Sequence, residues 1–516
     1  MTSEARRLGR NATSAYANRA LMVLSVLLLT PYLFSELGVA GFGAWSVMFT
    51  VVTVFSLFEI EFLSGVTTGV ARVDGDTQPS QVGRIVRAGA LLMAITGVIG
   101  LVVAAAVGFA ADGLAAHADR AAFREGLIVL GAAMVVRLPC AAFGAALAGR
   151  QRFDLFNAAE AIAIVGFAGG TVVALETGGG LLGVAIAQAL ALVAGGLVFV
   201  VLLYRATPGL TLRAGSAPLG SLASFGSWTL LSGSMTFVAE RMDLVIVAAV
   251  RNALAAGPYA AAQKLRSGLQ SVIYPLLNLM LPMVSELDAA GRRDEVARRL
   301  VLATRVALQV SLPVAAALAL FAPDFIAVWL GGSAPASTAS IVAVLMAVEL
   351  LAIVAIPAHF VLVGLGRVRF IGVLGLLDAP ANLALSIALV HEYGAIGAAW
   401  GSLLTSSLLG FVVKLPVASR EAGCSRTELL TAGLRPALVA SLPALAAMLA
   451  VRLALDEGIV RLVLGAGGGV TIAAVVAVRQ IGRGRLREVG GMLRTPPLAV
   501  GEVVAPVAPG APPAKP

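Results

Sequence analysis

Eleven ionisable residues stand in stretches of this chain that are otherwise apolar, and they are the ones whose chemistry needs explaining. Five are basic: Arg19, Arg137, Arg241, Lys264 and Arg266. Six are acidic: Glu59, Glu61, Glu240, Asp243, Glu349 and Asp378. A charge at the middle of a bilayer costs about 2.5–3.5 kcal/mol on insertion scales, so each wants a reason. A basic group there can grip a phosphate through charge-assisted hydrogen bonds. An acidic group can carry a proton or a cation, or pair with a base.

Position narrows each choice. Arg137 lies near the middle of its apolar run, two residues before Pro139, and reads either as a cation facing a cavity or as half of a structural ion pair. Glu349 sits at comparable depth, as the partner of Arg137 or as a separate proton site. Glu240, Arg241 and Asp243 face Lys264 and Arg266 across a hairpin. Opposite charges at matched depth should pair there, leaving one surplus cation to line a cleft. Glu59 and Glu61 are about 200° apart on a helix, so at most one of them faces a cavity. Arg19, next to Asn18, is a boundary anchor or a catcher of a headgroup pyrophosphate. Asp378 and Asn382 share a helix face, as interhelical polar glue or as part of a site. Arg150, Arg152, Arg367 and Arg369 read as topology anchors.

The elements that carry these residues are membrane-spanning helices. Hydrophobic residues make up 59% of the 516, charged residues 13%, and the mean hydropathy is +0.94. A soluble domain carries roughly twice that charge. A helix needs about 20 apolar residues to cross a bilayer. Apolar runs of that kind predict fourteen spans: 20–37, 42–66, 88–111, 126–148, 158–175, 181–203, 223–250, 258–284, 300–321, 339–365, 371–390, 395–417, 436–455 and 460–478. The N-terminus reads as a retained first helix, not a cleaved signal.

Basic residues test that count. With gaps alternating from a cytoplasmic start, the inner segments hold 27 basic residues and the outer ones 5. That asymmetry predicts both termini in the cytoplasm. It also makes the net charge of +9 a topology signal and not a nucleic-acid footprint. Three histidines, no Walker motif and two isolated cysteines, Cys140 and Cys424, predict no metal, no cofactor, no ATPase and no disulfide. The loops are too short for a catalytic domain, so an enzyme is not expected.

Three motifs occur twice in the same order. Ala40-Gly41-Phe42-Gly43-Ala44 returns as Ala256-Gly257-Pro258-Tyr259-Ala260, at an offset of 216. Gly149-Arg150-Gln151-Arg152-Phe153 returns as Gly366-Arg367-Val368-Arg369-Phe370. Gly180-Leu181-Leu182-Gly183-Val184-Ala185 returns as Gly394-Ala395-Ile396-Gly397-Ala398-Ala399. The offset spans six helices, an even number, so the halves are parallel repeats. The predicted architecture is all-α and polytopic. A six-helix lobe takes residues 1–216 and a second 217–432. Two additional helices and a basic segment take 433–494, and a disordered Pro/Ala-rich tail 495–516.

These residues resemble those of the polysaccharide and oligosaccharide flippases of the multidrug/oligosaccharidyl-lipid/polysaccharide exporter superfamily. The resemblance covers about 19–417. It rests on Glu36 to Trp45, on Gly149 to Phe153 with Asn157, and on Glu240-Arg241-Met242-Asp243. Tyr259 to Ala262, Pro282 with Ser285, Trp329-Leu330-Gly331 and Tyr393 to Trp400 complete it. It implies a V-shaped carrier in the bacterial inner membrane. Such a carrier moves undecaprenyl-pyrophosphate-linked repeat units outward for O-antigen, capsule or exopolysaccharide, with membrane lipid, a polysaccharide polymerase and a chain-length regulator as partners. The chain departs from relatives that handle peptidoglycan precursor in having no acidic or basic residue in the body of the first helix beyond Arg19, up to Glu36 at its end. The alternative within this architecture is a drug/cation antiporter, which needs an acidic cleft. On the phosphate reading Arg137 tips the cleft positive, together with at least one of Arg241, Lys264 and Arg266.

Overall fold

The computed structural model describes residues 3–73, 78–110, 117–212, 242–278 and 280–479. These residues form helices joined by short turns, and no strand occurs among them. The first helices are α1 (Ser3–Thr53), α2 (Phe55–Ala71), α3 (Pro79–Ala110), α4 (Arg120–Gly149), α5 (Phe153–Glu176) and α6 (Gly180–Ala206). Then come α7 (residues 242–250), α8 (Ala253–Asn278), α9 (Met280–Ala289), α10 (Arg293–Leu320) and the short α11 (Ala322–Leu330). The last are α12 (Ser337–Gly364), α13 (Val368–Tyr393), α14 (Ala395–Ala422), α15 (Arg426–Ala454) and α16 (Ile459–Arg479). The chain is a polytopic all-α membrane protein.

Among the described residues eleven helices are long and apolar enough to cross a membrane, and the expected spans map onto them as follows. The first two expected spans are not separated by a loop. They run through α1 as one tract that swings at Gly38, with φ 67° and ψ 175°, a conformation open only to glycine. The second span then continues past its expected end through α2. Most of the seventh, at 223–250, lies outside the described residues, and so does the tail after 479. The eighth is shared by α8 and α9, where Gln263, Lys264, Arg266 and Gln270 dilute the apolar run. The turn after α10 holds α11, unexpected from hydropathy, with a proline in its first turn and Gly331 closing it.

Each group of helices has a hub. α4 packs against α2, α3 and α6, and α5 packs between α1 and α6. α12 does the same for α8, α9, α10 and α14, while α13 lies on α14. Asp119 starts α4 cleanly by accepting the Ala122 N–H at 3.0 Å. An aromatic row, Phe34, Phe42, Trp45 and Phe167, ties the middle of α1 to α5, with the last pair stacked at 7°.

The last two helices are fastened to the second group. α15 lies along α10, and α16 reaches α11. There Arg461 grips Asp324 with two parallel bonds, Nε to Oδ1 at 3.0 Å and Nη2 to Oδ2 at 2.8 Å. The Gly458 N–H donates to the same carboxylate. Removing one side of a charge-assisted bond costs about 1.5–3 kcal/mol. Asp324→Ala is therefore expected to lower the detergent melting midpoint and to open the 455–458 turn to protease. Asp324→Ala/Arg461→Ala should recover part of that loss, and additive losses would show that the pair does not hold α16 down.

Candidate functional site

The two groups of helices meet where α1 runs along α8. At one end of this seam the two copies of the repeated glycine motif pack on each other. A Cβ on Gly43 would lie 2.0 Å from the Ala253 carbonyl oxygen and 2.8 Å from the Gly257 nitrogen. A Cβ on Gly257 would lie 2.4 Å from the Val39 oxygen. Only glycine allows backbones this close. Toward the other end, Arg19 donates twice to the Ser271 carbonyl, at 3.1 and 2.9 Å. The Trp329 indole N–H donates to the Leu27 carbonyl. Between these points Lys264, on α8, holds its Nζ 5.2 Å from the ring centres of both Trp45 and Phe49 on α1. A cation over an aromatic face is attracted by the ring quadrupole. Among the described residues the seam thus holds the basic side chains Arg19 and Lys264, one contributed from each side.

Arg137 is placed differently from the expectation that it tips a cleft positive. It is buried inside the first group, where Gly196 of α6 leaves room for its stem. Its Nη1 donates to Glu59 of α2 at 3.1 Å and its Nη2 to Glu160 of α5 at 3.2 Å. The guanidinium also lies 5.3 Å from the Phe199 ring centre. One positive charge faces two negative ones, so this cluster cannot supply positive potential. Of the two opposed glutamates, Glu59 faces Arg137. Glu61 lies on α2, but its side chain is outside the described set.

The second group has its own buried pair. Arg266 of α8 donates to Glu349 of α12 at 2.8 Å, and Gln270 donates to the same Oε2 at 2.8 Å. Glu349 is fully buried. It is therefore the partner of Arg266 and not of Arg137, because α12 turns it toward α8 within its own group. Only part of the expected hairpin network lies within the described residues. Asp243 of α7 accepts from three hydroxyls: Tyr259 at 3.0 Å, Ser402 at 2.6 Å and Ser386 at 3.2 Å. Glu240 and Arg241 lie outside the described residues. Asn382 extends the cage by donating to Ser402 and Thr405, which joins α13 to α14. Asp378 stands one turn before it, also buried. Among the described residues no three of His, Cys, Asp and Glu gather as metal ligands would.

Residues 37–334, more than half of the chain, match the family described as "Polysaccharide biosynthesis protein". The chain belongs to that family. No curated protein matches it in sequence. Solved structures share its fold. An inward-facing multidrug resistance MATE family transporter of the MOP superfamily is 17% identical with a TM-score of 0.64, covering 78% of this chain and 96% of its own. The lipid II flippase MurJ, in an inward closed conformation, is 12% identical with a TM-score of 0.64, over 91% of this chain and 98% of its own. A MOP superfamily transporter from Pyrococcus furiosus is 14% identical with a TM-score of 0.55, over 83% and 97%. The fold of this polysaccharide biosynthesis family member is that of the MOP superfamily, whose members named here are transporters and flippases.

Ser386, Ser402 and Thr405 carry no signal in the sequence that marks them for these clusters, whereas Glu160, Gln270 and Tyr259 do. Glu160 sits three residues into an apolar run and looks like a boundary acid. Its depth in the run was the available signal. Gln270 lies four residues after Arg266, on the same helix face. Tyr259 sits inside the repeated motif itself, where Gly43 stands in the other copy.

Proposed function

We propose that this family member flips undecaprenyl-pyrophosphate-linked oligosaccharide repeat units across the bacterial cytoplasmic membrane by alternating access. The observation that carries the reading is the division of charge. Glu59, Glu160 and Glu349 are held by arginines within one group of helices or the other, whereas Arg19 and Lys264 stand at the seam between them. A pyrophosphate carries about two or more negative charges and calls for a positive path with reachable cations. Lys264 would exchange its aromatic contacts for phosphate oxygens as the groups part. The sugar would occupy the opened space, and the prenyl tail would stay in lipid. The membrane potential assists, since each negative charge moved outward gains about 2.3 kcal/mol per 100 mV. Asp243 and Asp378 are the coupling candidates. A polysaccharide polymerase and a chain-length regulator are the proposed partners.

The test is reconstitution. Proteoliposomes of the full chain should flip a fluorescent prenyl-pyrophosphate oligosaccharide. Lys264→Gln and Arg19→Gln should each slow the initial rate about tenfold, the equivalent of one lost charge-assisted contact. Expulsion of a cationic dye without lipid-linked sugar movement would replace this reading with a drug/cation antiporter. The 27 to 5 basic asymmetry supports cytoplasmic termini. A reporter fused at Arg494 should be active only as a cytoplasmic protein, and periplasmic activity there would refute that orientation.

A further inference from the structure

A second basic feature lies away from the seam, where α14 hands over to α15. α14 ends at Ala422, and Gly423 turns the chain with φ 77°. The Cys424 N–H then closes the turn on the Ser419 carbonyl at 2.8 Å. Ser425 caps α15 by accepting the Glu428 N–H at 3.0 Å. This turn is rigid, and beside it lies a cavity of 410 Å³ lined by Pro416, Val417, Ser419, Arg420, Cys424 and Arg426.

The lining has two chemistries. Pro416 and Val417 supply an apolar wall. Arg420 and Arg426 are exposed, and neither guanidinium forms an ion pair or hydrogen bond among the described residues. The neighbouring acid Glu421 is occupied by Arg367 at 2.9 Å. Glu428, exposed on the first turn of α15, is the remaining acid nearby. After burial itself, its carboxylate is the next cause raising the Cys424 thiol above its usual range. Two arginines against one glutamate leave the mouth positive. On the orientation expected from the basic asymmetry, this turn joins two spanning helices at the cytoplasmic headgroups, where basic pockets between helices take up lipid phosphates. An apolar wall beside two guanidiniums fits a phosphate that carries acyl chains better than a free ion.

We infer that this cavity binds the phosphate headgroup of an anionic glycerophospholipid, with Arg420 and Arg426 on the phosphate and the acyl chains along Pro416 and Val417. It would pin the junction between the second group of helices and the added pair to the lipid surface. The inference stands apart from the flippase reading, and neither requires the other.

Cys424 reports on the cavity because its side chain forms part of the wall. The full chain is placed in nanodiscs of phosphatidylcholine, with or without phosphatidylglycerol, and maleimide alkylation of Cys424 is followed by peptide mass. Phosphatidylglycerol should slow alkylation about tenfold, as expected for two arginines at a lipid surface. Arg420→Gln/Arg426→Gln should lose that protection, and Arg435→Gln, outside the lining, should keep it. If the double variant fails to insert, Arg426→Gln alone should lose most of the protection. Equal rates in both lipids overturn the inference. Protection that survives in the double variant also overturns it, because surface potential alone would then be acting. Two further arms identify the source of the phosphate. Protection by inorganic pyrophosphate, or by prenyl pyrophosphate in neutral discs, without protection by phosphatidylglycerol, would assign the cavity to those anions and sink the lipid assignment.

Discussion

Replacing Gly43 with valine should abolish transport while the protein still inserts and purifies as a single species. The added Cβ would sit 2.0 Å from the Ala253 carbonyl oxygen, a backbone atom, and its own position is fixed by the backbone that bears it, so neither can rotate away. The helix ends would have to separate, and with them the contact between the two groups of helices at this end. Gly257→Val should behave alike, since its Cβ would meet the Val39 oxygen at 2.4 Å. Gly268 supplies the control on the same helix. A Cβ there meets nothing within 4 Å, so Gly268→Ala should transport normally. It should also stabilise α8 by about 0.5–1 kcal/mol. The measurement is polymer export in a complemented deletion strain, alongside detergent-solubilised yield. Wild-type export from Gly43→Val would show that this contact is never formed in the working cycle.

Arg137→Ala is expected to act first on folding. The substitution leaves Glu59 and Glu160 facing each other inside one group of helices with their shared cation gone. Breaking a buried pair by removing one partner costs about 3–5 kcal/mol. That is a large share of the 5–15 kcal/mol by which proteins are stable. Yield of folded protein should fall severalfold. Arg137→Met combined with Glu59→Gln and Glu160→Gln should restore it, because no uncompensated charge then remains. If Arg137→Ala instead gives normal yield and no export, Arg137 contacts the substrate and its pairing is a resting state. Comparing export in the restored triple variant with the wild type separates positioning from contact. Normal export there makes the triad purely structural.

Different physics made some of this readable in the sequence and left the rest to be decided by packing. Glu160 illustrates the division. The span that carries it, the depth of Arg137 and the position of Pro139 are all visible along the chain. Their meeting depends on how α4 and α5 are rotated about their axes. A rotation of about 100°, one residue's worth, would turn either side chain out of reach. Glu349 failed as a partner for Arg137 for the same reason. Both lie at comparable depth, but depth carries no information about direction. The repeated glycines were legible as a duplication, yet their contact with each other was not, because nothing in a linear offset brings residue 43 against residue 257.

The sequence by itself determined that this is a polytopic helical membrane protein, roughly where its spans lie, and that three short motifs recur in the same order. Insertion sums apolar side chains over about 20 consecutive residues, and that sum is local. The tertiary structure decided which charges pair with each other and which side chains stand at the seam. It placed Arg266 on Glu349, two glutamates on Arg137, three hydroxyls on Asp243, and Lys264 over Trp45 and Phe49. An ion pair needs its two groups within a few ångströms, and only the packing of helices far apart in the chain sets that distance.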